Sequence, residues 1–153
     1  GPDWLSWGGR ETLACYGLDT PDAIRATDLA PLAERFAAAL PDEHRTFVQG
    51  LPLMHVEGDY CFVHAGLRPG VALEEQQESD LIWIREPFLS HAGSLGKIVV
   101  HGHTIHARPT IRPNRIAIDT GVYRSGVLTA VVLEADRCLF ICAHGGGVDH
   151  LVP

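Results

Sequence analysis

The part of the chain after residue 52 consists of short apolar runs that each stop at glycine, proline or an acidic residue, and this punctuation restricts the fold more than any other feature. Leu53-Met54-His55-Val56 and Tyr60-Cys61-Phe62-Val63 flank Gly58-Asp59, a two-residue hairpin signal between strand-like segments. Four more runs, at 98–100, 115–118, 127–133 and 138–142, predict further strands. With 16 Gly and 10 Pro among 153 residues, turn formers exceed their usual share of about 12%, so tight connections are expected throughout. Before these strands the pattern is helical. Residues 11–16 predict a short helix stopped by Gly17, and Leu32, Phe36, Ala39 and Leu40 recur at helical spacing. Pro41-Asp42-Glu43 opens a second helix with proline and acids in its first turn, and Gly50 and Pro52 end it. Ser79-Asp80 is expected to cap a short helix over 81–85 that stops by Pro87. Helices first and short strands afterwards predict an α+β or layered α/β body with an antiparallel or mixed sheet. By length this is one domain, or one piece of a larger one.

Composition removes several functional classes. Apolar residues make up 46% of the chain and charged residues 20%, too much burial potential for intrinsic disorder. No apolar stretch approaches the ~18 residues of a membrane span, and the N-terminus lacks the layout of a signal peptide. A cytoplasmic protein with no membrane partner is the expectation. Twelve Lys+Arg against 19 Asp+Glu leave a charge of −7, which disfavours nucleic acid as a partner. Lys97 is the sole lysine, so positive charge is carried by arginine, the side chain suited to forked contacts with phosphate. Cys15, Cys61, Cys138 and Cys142 form no C-x-x-C pair and read as reduced thiols.

Two strand ends share one format. Cys61-Phe62-Val63 delivers His64 ahead of Ala65-Gly66, and Ile98-Val99-Val100 delivers His101-Gly102-His103-Thr104. An imidazole at a rigid strand end beside glycine suits metal ligation, because the sheet fixes its position and the glycine allows close approach. A single such histidine is adequately explained by a hydrogen bond at the sheet rim; two in one chain favour a shared ion.

The words Phe62-Val63-His64-Ala65-Gly66-Leu67-Arg68-Pro69 and Val99-Val100-His101-Gly102-His103-Thr104 resemble the last two signature blocks of the metal-dependent serine/threonine protein phosphatases, calcineurin-like metallophosphoesterases, with the bacterial branch the nearest likeness. Ile116-Ala117-Ile118-Asp119-Thr120-Gly121 resembles the ending of that family, and Asp80-Leu81-Ile82-Trp83-Ile84-Arg85 its Leu-Trp-x-Arg helix. The first three blocks of the family, G-D-x-H-G, G-D-x-x-D-R-G and G-N-H-E/D, are absent. The resemblance therefore implies that residues 1–153 are the C-terminal part of a metallophosphatase catalytic domain whose N-terminal metal-binding half is not in this sequence.

Carried over residue by residue, the resemblance makes His64 and His103 ligands of the second of two divalent ions, manganese first, with iron or zinc as alternatives. It places His101 beside the ligand, as a neighbour or substrate-side group, and Arg85 where it can reach substrate phosphate, although a solvated helix-end arginine is an equal reading. Asp119 either hydrogen-bonds a ligating imidazole or forms an Asx-turn at the strand exit. The implied activity is hydrolysis of phosphomonoesters, phosphoserine or phosphothreonine in protein, by metal-activated water, with a small phosphoester as an alternative substrate. With only part of the site, the chain is expected to be inactive alone. A symmetrical dinucleoside-polyphosphate hydrolase is the enzymatic rival, and a noncatalytic interaction module derived from the same fold is the other class. Uncovered sheet surfaces in such a segment also predict self-association.

Overall fold

The computed structural model describes residues 1–21, 24–135 and 137–151. The chain divides into two compact units, Gly1–Leu51 and Pro52–Pro153.

The first unit is helical. α1 (Pro2–Trp4) passes into a widened helical stretch, Leu5–Gly9, which is broken at Trp7 and Gly8 before α2 (Arg10–Cys15) resumes. Gly8 takes φ +96, a conformation that side chains resist, so the break falls at the residue able to accept it. α3 (Leu29–Ala39) and α4 (Asp42–Gly50) match the expected pair, with Pro41 at the N-cap of α4 and Asp42 and Glu43 in its first turn. Leu5, Leu13 and Leu18 are buried against Leu32, Phe36 and Ala39, which belong to the stripe that the helical spacing predicted, and against Leu29.

The second unit carries two sheets. β1 (Met54–Glu57) and β2 (Tyr60–Val63) form the expected hairpin, with Gly58 at φ +54 in its turn. α5 (Glu78–Trp83) follows, and then β3 (Ile98–His101), β4 (Thr110–Arg112) and β5 (Arg115–Ala117) complete a five-stranded mixed sheet ordered β1-β2-β3-β5-β4. β2, β3 and β5 run parallel, and the two outer strands run antiparallel to their neighbours. After a short α6 (Val122–Ser125), β6 (Leu128–Glu134), β7 (Arg137–His144) and β8 (Gly147–Leu151) make an antiparallel sheet. The α+β class with mixed and antiparallel sheets is as expected.

Alternation along the central strands feeds two cores. Cys61, Val63 and Val99 face Leu67, Leu81, Ile84 and Phe88 on the helix side. Val100 and Ile116, together with Tyr60 and Phe62, face Phe140, Val131 and Leu133 of the second sheet. Both faces of the parallel strands are thereby covered, which is why those strands read as unbroken apolar runs.

Two local expectations are corrected. Asp80 lies inside α5, not at its cap: its carboxylate accepts a two-pronged contact from Arg68, at 2.7 Å from Nε and 2.6 Å from Nη2. His144-Gly145-Gly146-Gly147, which reads in sequence as terminal punctuation, is a turn into β8, with the Gly146 amide donating to His144 Nδ1 at 3.1 Å. The strand over 110–112 and the turn of helix at 122–125 carry no sequence signal strong enough to predict. The four thiols are free, as expected, and Cys61 and Cys142 are buried. No helix among the described residues is long and apolar enough to cross a membrane.

Candidate metal centre

Parallel pairing of β2 with β3 sets Val63 opposite His101, so both strands end at the same rim and the residues just beyond them, His64 and Gly102-His103, meet. The Gly102 amide donates to the His64 carbonyl at 2.9 Å, tying the two exits together. The His64 and His103 rings lie with centroids 5.1 Å apart. The two imidazoles that sequence reading singled out therefore converge, near enough for one ion to accept a lone pair from each.

The backbone at His103 is unusual. Its φ is +60, and the Thr104 amide donates to the Gly102 carbonyl at 2.6 Å, so Gly102-His103-Thr104 is a γ-turn with a non-glycine residue at its centre. This form is rare and strained. Its effect is to turn the His103 side chain off the strand direction toward His64 and Trp83. The Trp83 and His103 rings sit edge to face with centroids 5.6 Å apart. Burial, the Arg85 guanidinium and the neighbouring His64 all push the His103 pKa down, which keeps the imidazole neutral, the form that ligates.

Arg85, two residues beyond α5, donates from Nη1 to the Thr104 hydroxyl at 2.8 Å. Its exposed charge lies near enough to His103 to push that ring's pKa down. Asp119, at the exit of β5, takes the Asx-turn form of its two readings: Oδ1 accepts from the Gly121 amide at 2.8 Å. Among the described residues it makes no hydrogen bond to the His64 or His103 imidazole, although its backbone carbonyl accepts from the His106 amide at 2.9 Å and so holds the loop after His103.

His101 is not where a substrate-side group would be. It is 1% exposed, its ring edge to face with Phe88 at 4.9 Å, and Nδ1 lies 3.1 Å from the Gly102 carbonyl. Its chain position explains this: His101 is the last residue of β3 and follows the strand alternation inward, whereas His103 stands past the turn. Burial, set against the Gly102 hydrogen bond and reinforced by Arg115, drives its pKa down to about 4. Nε2 is buried with no partner among the described residues, a defect that typically costs about 1–3 kcal/mol.

Beneath the site, Phe88 is fully buried against Gly66 and under the Arg115 guanidinium, 5.6 Å from its ring centroid. Arg115 also donates to the carbonyls of His91 and Leu89, fastening the loop after α5 to β5. Neither Arg115 nor Arg68 stands out in the sequence, because nothing local marks an arginine whose partners are distant carbonyls or a helix carboxylate.

The donor set fits half of a metal site. Two convergent imidazoles suit manganese, iron or zinc, but no group of three or more His, Cys, Asp or Glu able to hold an ion occurs among the described residues. Catalytic sites ordinarily have at least three protein ligands.

No protein-family model matches the chain, and no similar curated protein was found. Among solved structures it is similar to a "putative diadenosine tetraphosphatase", with a TM-score of 0.52 and 20% identity over 82% of this chain. The match covers 61% of that protein, so this chain spans about three fifths of its length. At this identity the likeness is one of fold alone, that of an α+β body with mixed and antiparallel sheets.

Proposed function

We propose that this chain is the part of a metal-dependent phosphoesterase that contributes His64 and His103 as nitrogen ligands to a divalent ion, with Arg85 holding the substrate phosphate. The observation that carries this reading is the convergence of the two rings, 5.1 Å between centroids, from adjacent parallel strand ends. When bound, a pair of divalent ions in such a site supplies Lewis acidity toward phosphoryl oxygens and an acidified water. The chain's own residues orient and neutralise: the turn at His103 directs its ring toward His64, and the Arg85 guanidinium offers donors to phosphate oxygens. Asp119 and Gly102 shape the backbone that carries them.

The remaining ligands, including the carboxylates, lie in this reading on an additional stretch of polypeptide. The substrate class proposed is phosphoserine or phosphothreonine in protein. A dinucleoside polyphosphate is the second reading, favoured by the likeness in fold to a diadenosine tetraphosphatase.

Zinc or manganese titration of this chain tests the ligand assignment. Binding weakened at least tenfold by His64→Ala and by His103→Ala is expected; two variants that bind as the unaltered protein does would refute it. Residues 1–153 alone are expected to hydrolyse a chromogenic phosphomonoester no faster than a buffer control with manganese, and an enzyme-like rate would overturn the incomplete-site reading. In a longer protein containing this chain, phosphate release from a phosphopeptide compared with cleavage of diadenosine tetraphosphate separates the two substrate classes.

A further inference from the structure

We infer that His101 is a positioning residue that holds the γ-turn aiming His103 at the metal, through the hydrogen bond from its Nδ1 to the Gly102 carbonyl. The inference rests on the reading of His64 and His103 as ligands and adds a residue that never touches the ion.

Three observations converge on it. First, the Gly102 carbonyl accepts two donors, the Thr104 amide at 2.6 Å and His101 Nδ1 at 3.1 Å. The first closes the γ-turn and the second, from a ring locked in the core, fixes where that carbonyl points. A turn with φ +60 at a non-glycine residue persists only when its surroundings over-determine it, and the buried imidazole is such a constraint. Second, because the carbonyl can only accept, Nδ1 carries the proton and the neutral ring leaves Nε2 as a bare lone pair. That nitrogen is the one buried side-chain polar atom without a partner among the described residues. Packing alone would favour an apolar residue here, as at the neighbouring Val99 and Val100, both buried in the same strand. An imidazole retained at the expense of an orphaned nitrogen is explained by what its other nitrogen does. Third, the ring is itself held: Phe88 meets it edge to face at 4.9 Å, and Phe88 is clamped by Gly66 and Arg115. A rigid series of contacts thus runs from β5 through Phe88 and His101 to the carbonyl that sets the direction of His103. Removing a group that orients a metal ligand typically lowers metal affinity 10–100-fold.

The test uses the whole chain and two substitutions. His101→Phe keeps an aromatic ring in the core and deletes the donor; His101→Asn places an amide N–H close to the position of Nδ1. Zinc affinity is measured by calorimetry, and exchange of the Thr104 amide is followed by NMR in metal-free protein. Expected are zinc binding at least tenfold weaker and Thr104 exchange at least tenfold faster in His101→Phe, with its melting temperature maintained or raised, and recovery of both to within threefold in His101→Asn. Unchanged zinc affinity in His101→Phe overturns the inference, as does a loss that His101→Asn does not repair. Should the unaltered chain bind no zinc, the ligand reading has failed, and Thr104 exchange then decides: accelerated in His101→Phe and restored in His101→Asn, the turn-holding role stands; unchanged, it falls.

Discussion

At the scale of single residues, the histidines around the site divide by exposure and by what each ring nitrogen faces. His64 and His103 sit beyond the strand ends and converge, whereas His101 is drawn into the core, where its pKa of about 4 lies well below the ordinary 6.5. The sign of the consequence follows from proton binding. Between pH 6.5 and about 4 the unfolded chain takes up a proton at this residue that the folded chain does not. His101 therefore gives no penalty above pH 6.5, removes stability as pH falls through that window, and adds no further change below it. The whole interval corresponds to about 3 kcal/mol. Denaturant midpoints of the metal-free protein measured from pH 7.5 down to 4 should fall more steeply than those of His101→Asn; parallel curves would contradict it. Asp80, held below the usual carboxylate range by Arg68, loses stability on further acidification, but equally in both proteins. Of these residues, the adjacency of strand, histidine and glycine in the chain pointed to His64 and to the segment 101–103, and the resemblance singled out His103 within it. The inward turn of His101 depends on where β3 ends and on Phe88, 13 positions earlier, and no local pattern reports that.

The elements that hold the site show the same division between local and distant information. The hairpin of β1 and β2 was legible because its turn and alternation lie within a dozen residues, and β6 and β7 because their runs are long and apolar. β4 and α6 are three and four residues long, too short to show a period, and α6 owes its start to Gly121 at φ +64. The loop after α5 is the least legible part, since it is fixed by the distant Asn114, in the turn before β5, and Arg115, the first residue of β5: Asn114 Nδ2 donates to the carbonyls of His91 and Gly93 at 2.9 and 2.8 Å. That loop carries Phe88, which lies where any side chain at position 66 would have to go. Gly66→Ala is accordingly expected to destabilise the second unit by about 1–3 kcal/mol through overpacking, read as a lowered urea midpoint with an unchanged slope. A midpoint within error of the unaltered protein would show that Phe88 can move aside. Arg115→Lys tests the same support from above, because lysine keeps the charge but not the fork across two carbonyls. It is expected to lower the midpoint as well.

In the molecule as a whole, the two units differ in what they contribute. Each hydrophobic cluster takes its members from one unit only: Leu5, Leu13 and Leu18 with the α3 stripe from the first, and the two clusters flanking the five-stranded sheet from the second. His64, Arg85, His101, His103 and Asp119, with every hydrogen bond described around them, lie in Pro52–Pro153. The second unit also ends in an outer strand, β8, exposed along all five residues and presenting Val148 and Leu151. Open, partly apolar edges of this kind pair with other chains. Concentration-dependent association in sedimentation velocity is expected, and a protein monomeric at every concentration would argue against that role for the edge. The division of the cores makes a sharper claim. A chain beginning at Pro52 holds both flanking cores, the strand exits and the γ-turn, so it should fold cooperatively and titrate zinc with the affinity of residues 1–153, within about threefold. Circular dichroism and calorimetry on that shorter chain read the two halves of the claim separately. Loss of folding would mean that the first 51 residues complete a core the clusters do not reveal; folding with weakened zinc binding would place a third ligand or an orienting contact within the helical unit.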